Sequence, residues 1–304
     1  MIHRAGLLTL VLLTSGTALA SVQDTPVVVT ESGVLQNGEM TPRWKQAISD
    51  RHDKQALGAL FKKSRSITKE EQAWMSFLQT QSVKWVASVP DLNKYFDGIT
   101  HPRRVTLLFG NQGGDDGFTQ GADTICLDLN SWVTNYDAPS SAESADRVMR
   151  ILSHEYVHLL TKLWIAKHPF PMATPLERTF QELYYEGIGN LFSLSQKWAF
   201  RKGRHSEDGT RALEMNVPIL VDRLQRLAAA TPDEEISLRK GLSAGPFRHK
   251  WGALTMALWL SEDQAKDSQS LKRFVQSGPS AVAVFVKDHA GRNALASKKE
   301  KSAQ

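Results

Sequence analysis

The sequence predicts an α+β protein in which helix dominates. Three observations carry this. Strand-forming residues gather in one short stretch, from Arg104 to Leu129; helix-capping signatures recur on both sides of it; and no internal repeat is present. At 304 residues and 41% hydrophobic, the chain can bury one sizeable core, or two small ones.

The elements follow in order. His3 and Arg4 precede an apolar run from Ala5 through Leu13, and Ala18-Leu19-Ala20 forms a small-x-small cleavage site. Residues 1–20 therefore read as a secretory signal peptide, too short and wrongly flanked for a spanning helix. The expectation is an exported protein, periplasmic or secreted, with no transmembrane segment once the leader is removed. Residues 21–40 hold few periodic apolar positions and read as a flexible lead-in, with residues 41–304 forming one domain.

Thr41-Pro42 places an N-cap before a proline and predicts a helix to about Lys63. Thr68-Lys69-Glu70-Glu71 is a capping box opening a second helix through about Trp85, and the two are expected to pair antiparallel. Arg104–Phe109 and Asp123–Leu129 read as strands, in a hairpin or a small sheet, joined by the glycine-rich segment Asn111–Gly121. Gly113-Gly114-Asp115-Asp116 within it matches neither an EF-hand nor a Walker loop and reads as a turn. A capping box from Ser140 to Glu143 starts a helix that His168-Pro169 stops. Thr174-Pro175-Leu176-Glu177 starts the next, expected to run to about Arg201. Further helices fit Thr210–Ala229, Phe247–Glu262 and Ser280–His289.

Charge and cysteine usage exclude several classes. There are 37 basic and 32 acidic residues, net +5; loss of Arg4 with the leader leaves 36 against 32, net +4. No basic stripe is interleaved with aromatics, so no nucleic-acid partner is expected. The lone Cys126 has no partner for an internal disulfide and sits in an apolar alternation, which reads as a small buried hydrophobe.

The chemistry lies in His154-Glu155-Tyr156-Val157-His158, inside the helix that begins near Ser140. Residues four apart on a helix lie about 40° apart around its axis, so both imidazoles can reach one metal ion. Glu155 projects roughly 100° away, near the metal but free to act as general base toward an activated water. The flanking Val148, Ile151, Leu152, Leu159, Leu160 and Leu163 mark a buried stripe, and polar groups facing a core need partners. A bound Zn²⁺ meets that need.

A catalytic zinc site takes a third protein ligand. Glu182 and Glu186 share a face of the next helix. Glu186 is the expected ligand and Glu182 the group that orients His154 or His158, although both could instead be solvated helix residues. Gly187 and Gly189, each costing about 1 kcal/mol in a helix, fit a close helix–helix approach at that point.

His154-Glu155-Tyr156-Val157-His158, followed by Glu186-Gly187 on the next long helix, resembles the gluzincin-type zinc metallopeptidases of the peptidase MA clan. The resemblance implies a zincin-like fold with a small β-sheet before the active-site helix. It also implies zinc held by His154, His158 and Glu186, with Glu155 as general base and a peptide or protein as substrate. More loosely it covers Thr124–Leu129, a strand that in the family lines the cleft and pairs with extended substrate. A hydrolase of this kind also needs a donor for the oxyanion. His249 is the first candidate, with Tyr184 and Tyr185 behind it. Two other readings stay open: an exported zinc-binding scaffold that cleaves nothing, and a zinc hydrolase of non-peptide amides.

Overall fold

The computed structural model describes residues 25–302, apart from 52–56, 59 and 62–64. The expected leader, 1–20, lies outside the described residues. Helix dominates, and one four-stranded mixed sheet completes the α+β class.

The sheet is built from β1 (Val27–Ser32), β2 (Arg104–Gly110), β3 (Gly117–Gln120) and β4 (Thr124–Asp128). Their spatial order is β1-β2-β4-β3. β1 and β4 flank β2 in parallel, and β3 runs antiparallel to β4 at the edge. Two expectations change here. The segment expected to be a flexible lead-in contains β1, whose Val27-Val28-Val29-Thr30 run pairs with β2 from Val27↔Arg104 onward. The glycine-rich connection contains β3, so the hairpin is β3–β4, while β2 and β4 are parallel neighbours.

Alternation of side chains along the strands divides the core in two. Leu107, Phe109, Ile125 and Leu127 face the large core. Leu108, Phe118 and Cys126 face a smaller one with Met40, Trp44, Ala47 and Ile48. Cys126 is buried, and burial pushes its thiol up to about 12, so it packs as an inert hydrophobe.

α1 (Pro42–Ser49) starts at the expected N-cap Thr41 but ends earlier than expected; part of the remaining stretch lies outside the described residues. α2 (Lys69–Val86) has the full Thr68–Glu71 capping box. These helices do not pair with each other: Trp44 and Ile48 cover one face of the sheet, and Trp74, Leu78 and Trp85 belong to the core on the other. Two short helices, α3 (Val89–Asn93) and α4 (Leu129–Asn135), complete that side.

α5 (Ala142–Lys167) is the long helix bearing the two histidines. Its cap is Ser141, whose Oγ accepts from Ser144 N at 3.0 Å. The expected Ser140–Glu143 box does not form, because Ser141 is the cap and places Ser144, not Glu143, at the third helical position. α6 (Pro175–Ser193) opens on the complete Thr174–Glu177 box. It stops short of Arg201 because Leu194 turns to extended backbone and Arg150 of α5 donates to the Ser193 carbonyl at 3.0 Å. Beyond it lie α7 (Glu207–Leu227), α8 (Pro232–Arg239), α9 (Ala253–Lys266), α10 (Ser270–Ser277) and α11 (Ala281–Ser302). The helix expected from Phe247 is a short 3₁₀ turn, Phe247–His249, followed by α9. Among the described residues, no helix is long and apolar enough to cross a membrane.

α6 is clasped between α5 and α9. A methyl added at Gly187 would lie 2.6 Å from Met256 Cβ of α9, so only glycine permits this approach. Gly187→Ala gains about 1 kcal/mol of helix propensity but overpacks the interface by roughly 1–3 kcal/mol. The expected result, read by thermal unfolding, is a net loss near 1 kcal/mol, a fall in Tm of roughly 2–4 °C.

Candidate metal centre

Four residues apart on α5, His154 and His158 bring their Nε2 atoms to 2.8 Å from each other. Glu186 reaches across from α6, its Oε1 3.8 Å from His158 Nε2, and the three ligating atoms all lie within 4.8 Å of one another. The expected His154–His158–Glu186 group is therefore assembled. Its closeness depends on Gly189: a Cβ there would stand 2.6 Å from His158 Cε1 and 3.1 Å from His154 Cε1. Glu155 turns toward β3, with Oε1 3.9 Å from His154 Nε2. It too packs on a glycine, since a Cβ at Gly117 would meet Glu155 Cγ at 3.2 Å.

Burial sets the electrostatics. It drives the His154 imidazole down to about 3, with the Lys250 charge adding to the effect. It also takes His158 well below its ordinary value, helped by His154. Burial, then the neighbouring Glu186 carboxylate, pushes Glu155 up to about 8. Glu186 rises to about 7 by burial, with Lys250 opposing. Burial thus favours neutral imidazoles beside carboxylates whose pKa is raised.

The residues fit a zinc ion. Both Nδ1 atoms are buried without a hydrogen-bond partner. The 2.8 Å contact between the two Nε2 atoms is a hydrogen bond only when one of them is protonated, whereas a cation between them would take both lone pairs. Two nitrogens and one carboxylate oxygen are a usual zinc donor set. At zinc–nitrogen distances of 2.0–2.1 Å, tetrahedral donors lie about 3.3 Å apart. The observed separations, from 2.8 Å to at most 4.8 Å, bracket that value.

Asn190, absent from the sequence expectations, steadies Glu186. Its Nδ2 donates to the Glu186 carbonyl at 2.8 Å and to Oε2 at 3.3 Å, while Oε1 is the oxygen near His158. The signal was its place one turn after the ligand.

Other expectations are corrected. Glu182 orients neither histidine: it accepts from Ser243 Oγ at 2.5 Å and pairs with Arg239. His249 is exposed and lies outside the cleft lining. The Tyr184 hydroxyl donates to the Val275 carbonyl at 2.7 Å, deep in the core. Tyr185 does line the cleft, its ring stacked on His158 at 3.9 Å and 7°, and its hydroxyl sits 3.5 Å from Thr119 Oγ1. The strand expected to meet substrate, β4, is interior to the sheet; the cleft-lining edge strand is β3.

The cleft over the three ligands has a volume of about 940 Å³. Asp128 N donates to the Asp116 carbonyl, so along this antiparallel ladder Phe118 and Gln120 address β4 while Gly117 and Thr119 point their backbone groups outward. Lys162 of α5 donates to the Thr119 carbonyl at 3.3 Å and to its Oγ1 at 2.5 Å, pinning the strand to the helix. Comparison with protein-family models, curated proteins and solved structures finds no match for this chain.

Gly189→Ala is expected to displace the His158 ring and weaken zinc binding at least about tenfold while the fold persists; a metal titration followed by circular dichroism reads both. A metal held by this group would compete with a proton for Glu186, raised to about 7, so affinity is expected to weaken as pH falls below that value, by up to about tenfold per unit. Dye-monitored proton release on zinc addition measures that competition.

Proposed function

We propose that this chain is an exported zinc metallopeptidase of the gluzincin type, with His154, His158 and Glu186 holding the metal. The observation that carries the proposal is the convergence of those three donors on the floor of an open cleft with a buried, unligated carboxylate, Glu155, beside them. A scaffold that only stored metal would have no use for that fourth group.

Bound zinc would supply a Lewis acid and a water of lowered pKa. The remaining work falls to the chain. Glu155 Oε1, 3.9 Å from His154 Nε2 and outside the three-donor group, is placed to act as the base. It accepts a proton from the attacking water and returns it to the leaving amine. Gly117 offers outward backbone groups directly above Glu155, where an extended peptide adds as a further strand. Thr119 contributes less to such pairing, because Lys162 already occupies its carbonyl. This confines the backbone register of a bound peptide to the residues next to the reacting bond. The apolar run at residues 5–13 and the small residues at 18–20 support export to the periplasm or beyond.

Glu155→Gln removes the base and keeps the shape. It is expected to retain full zinc by elemental analysis and to lose at least about 100-fold in hydrolysis of fluorescent casein. Activity undiminished in a zinc-loaded Glu155→Gln protein would contradict the mechanism.

A further inference from the structure

Peptide hydrolysis through this site requires a donor for the negative charge that develops on the carbonyl oxygen. Of the three donors expected from sequence, His249 is outside the cleft, Tyr184 is committed to Val275, and the Tyr185 hydroxyl lies against Thr119.

The cleft contains cations that the sequence reading passed over. Most are already engaged. Arg51 pairs with Asp115, Arg147 with Glu143 at 2.8 Å, Arg150 with Asp146 at 2.8 Å, and Lys197 with Asp208 at 3.0 Å. Lys162, outside the cleft lining, is bonded to Thr119. Lys250 also lines the cleft, and among the described residues no side chain or carbonyl pairs with its ammonium.

Its backbone, by contrast, is firmly held. The Lys250 carbonyl accepts from Leu254 N at 3.0 Å in the first turn of α9. The next residue, Trp251, is 4% exposed, donates Nε1 to the Lys240 carbonyl at 2.9 Å, and donates its amide to Gly241 at 3.1 Å. A long side chain with a free charge thus projects into the cleft from a fixed frame. Lys250 lines the same cleft as His154, His158 and Glu186, and its charge bears on all three.

We propose that Lys250 is a catalytic residue whose ammonium donates a hydrogen bond to the oxyanion formed as water adds to the scissile carbonyl. The inference rests on the metallopeptidase reading. As the water oxygen bonds to the carbonyl carbon, its proton passes to Glu155 and the carbonyl π pair moves onto oxygen, opposite Lys250 Nζ. Collapse reforms the carbonyl and breaks the carbon–nitrogen bond, and the proton on Glu155 goes to the leaving nitrogen. Lys250 keeps its protons throughout.

Inorganic phosphate is a tetrahedral oxyanion that tests this without turnover. Wild type, K250M and K250R are loaded with zinc, checked for equal metal content and equal Tm, and titrated with phosphate by calorimetry. The expected result is binding about tenfold weaker in K250M, with K250R restoring affinity to within about threefold of wild type. Equal phosphate affinity in zinc-loaded wild type and K250M, or no binding by zinc-loaded wild type, overturns the role of Lys250 and leaves the metal site standing. Wild type that takes up no zinc overturns the metallopeptidase reading itself, and the Lys250 proposal with it.

Discussion

One helix, α6, must lie closer to two neighbours than any side chain at its contact points would allow. Gly187 meets Met256 of α9 and Gly189 meets the imidazoles of α5. Each glycine gives up about 1 kcal/mol of helix propensity. The return is an interhelical gap narrow enough for the Glu186 carboxylate to stand beside two histidines on another helix. The capping box at Thr174, the Arg150 bond to Ser193 at the far end, and the Tyr184 hydroxyl on Val275 fix the same helix along its length. Loosening α6 would separate the three donors without unfolding the sheet.

The second constraint is dielectric. Two imidazoles and two carboxylates crowd together, Glu155 and His158 buried and His154 and Glu186 partly so, and among the described residues no Lys or Arg is bonded to them. Desolvation holds the imidazoles neutral and drives the carboxylates toward their protonated forms. The carboxylate shifts oppose negative charge that a divalent ion would stabilise, and the imidazole shifts favour the neutral form that ligates one. Lys162 is bonded to the edge strand, whereas Lys250 lines the cleft with no side-chain partner among the described residues. The difference separates a cation that holds structure from one available to a ligand.

Much of this was legible in the sequence because it is local. The His154–His158 spacing, the Thr68 and Thr174 capping boxes, and the glycines of α6 each report on residues within a turn or two of themselves. What escaped depends on partners far along the chain. β1 is a short β-branched run whose pairing partner begins at Arg104, and nothing near Val27 announces it. Parallel pairing of β2 with β4 likewise has no turn signature, so the nearer hairpin reading was open. Orientation was likewise out of reach: Tyr184 and Tyr185 are adjacent, yet one points into the core and the other into the cleft. His249 and Lys250 differ in the same way, and the single-residue step that separates them is set by how Trp251 packs.

The central claim, that His154, His158 and Glu186 form one metal site, is tested most directly by elemental analysis of purified wild type beside Glu186→Ala. The account predicts one zinc per wild-type chain, and in the variant a stoichiometry well below one after dialysis, with circular dichroism unchanged. Well-folded wild type without metal, or a variant that holds zinc as firmly as wild type, would contradict it.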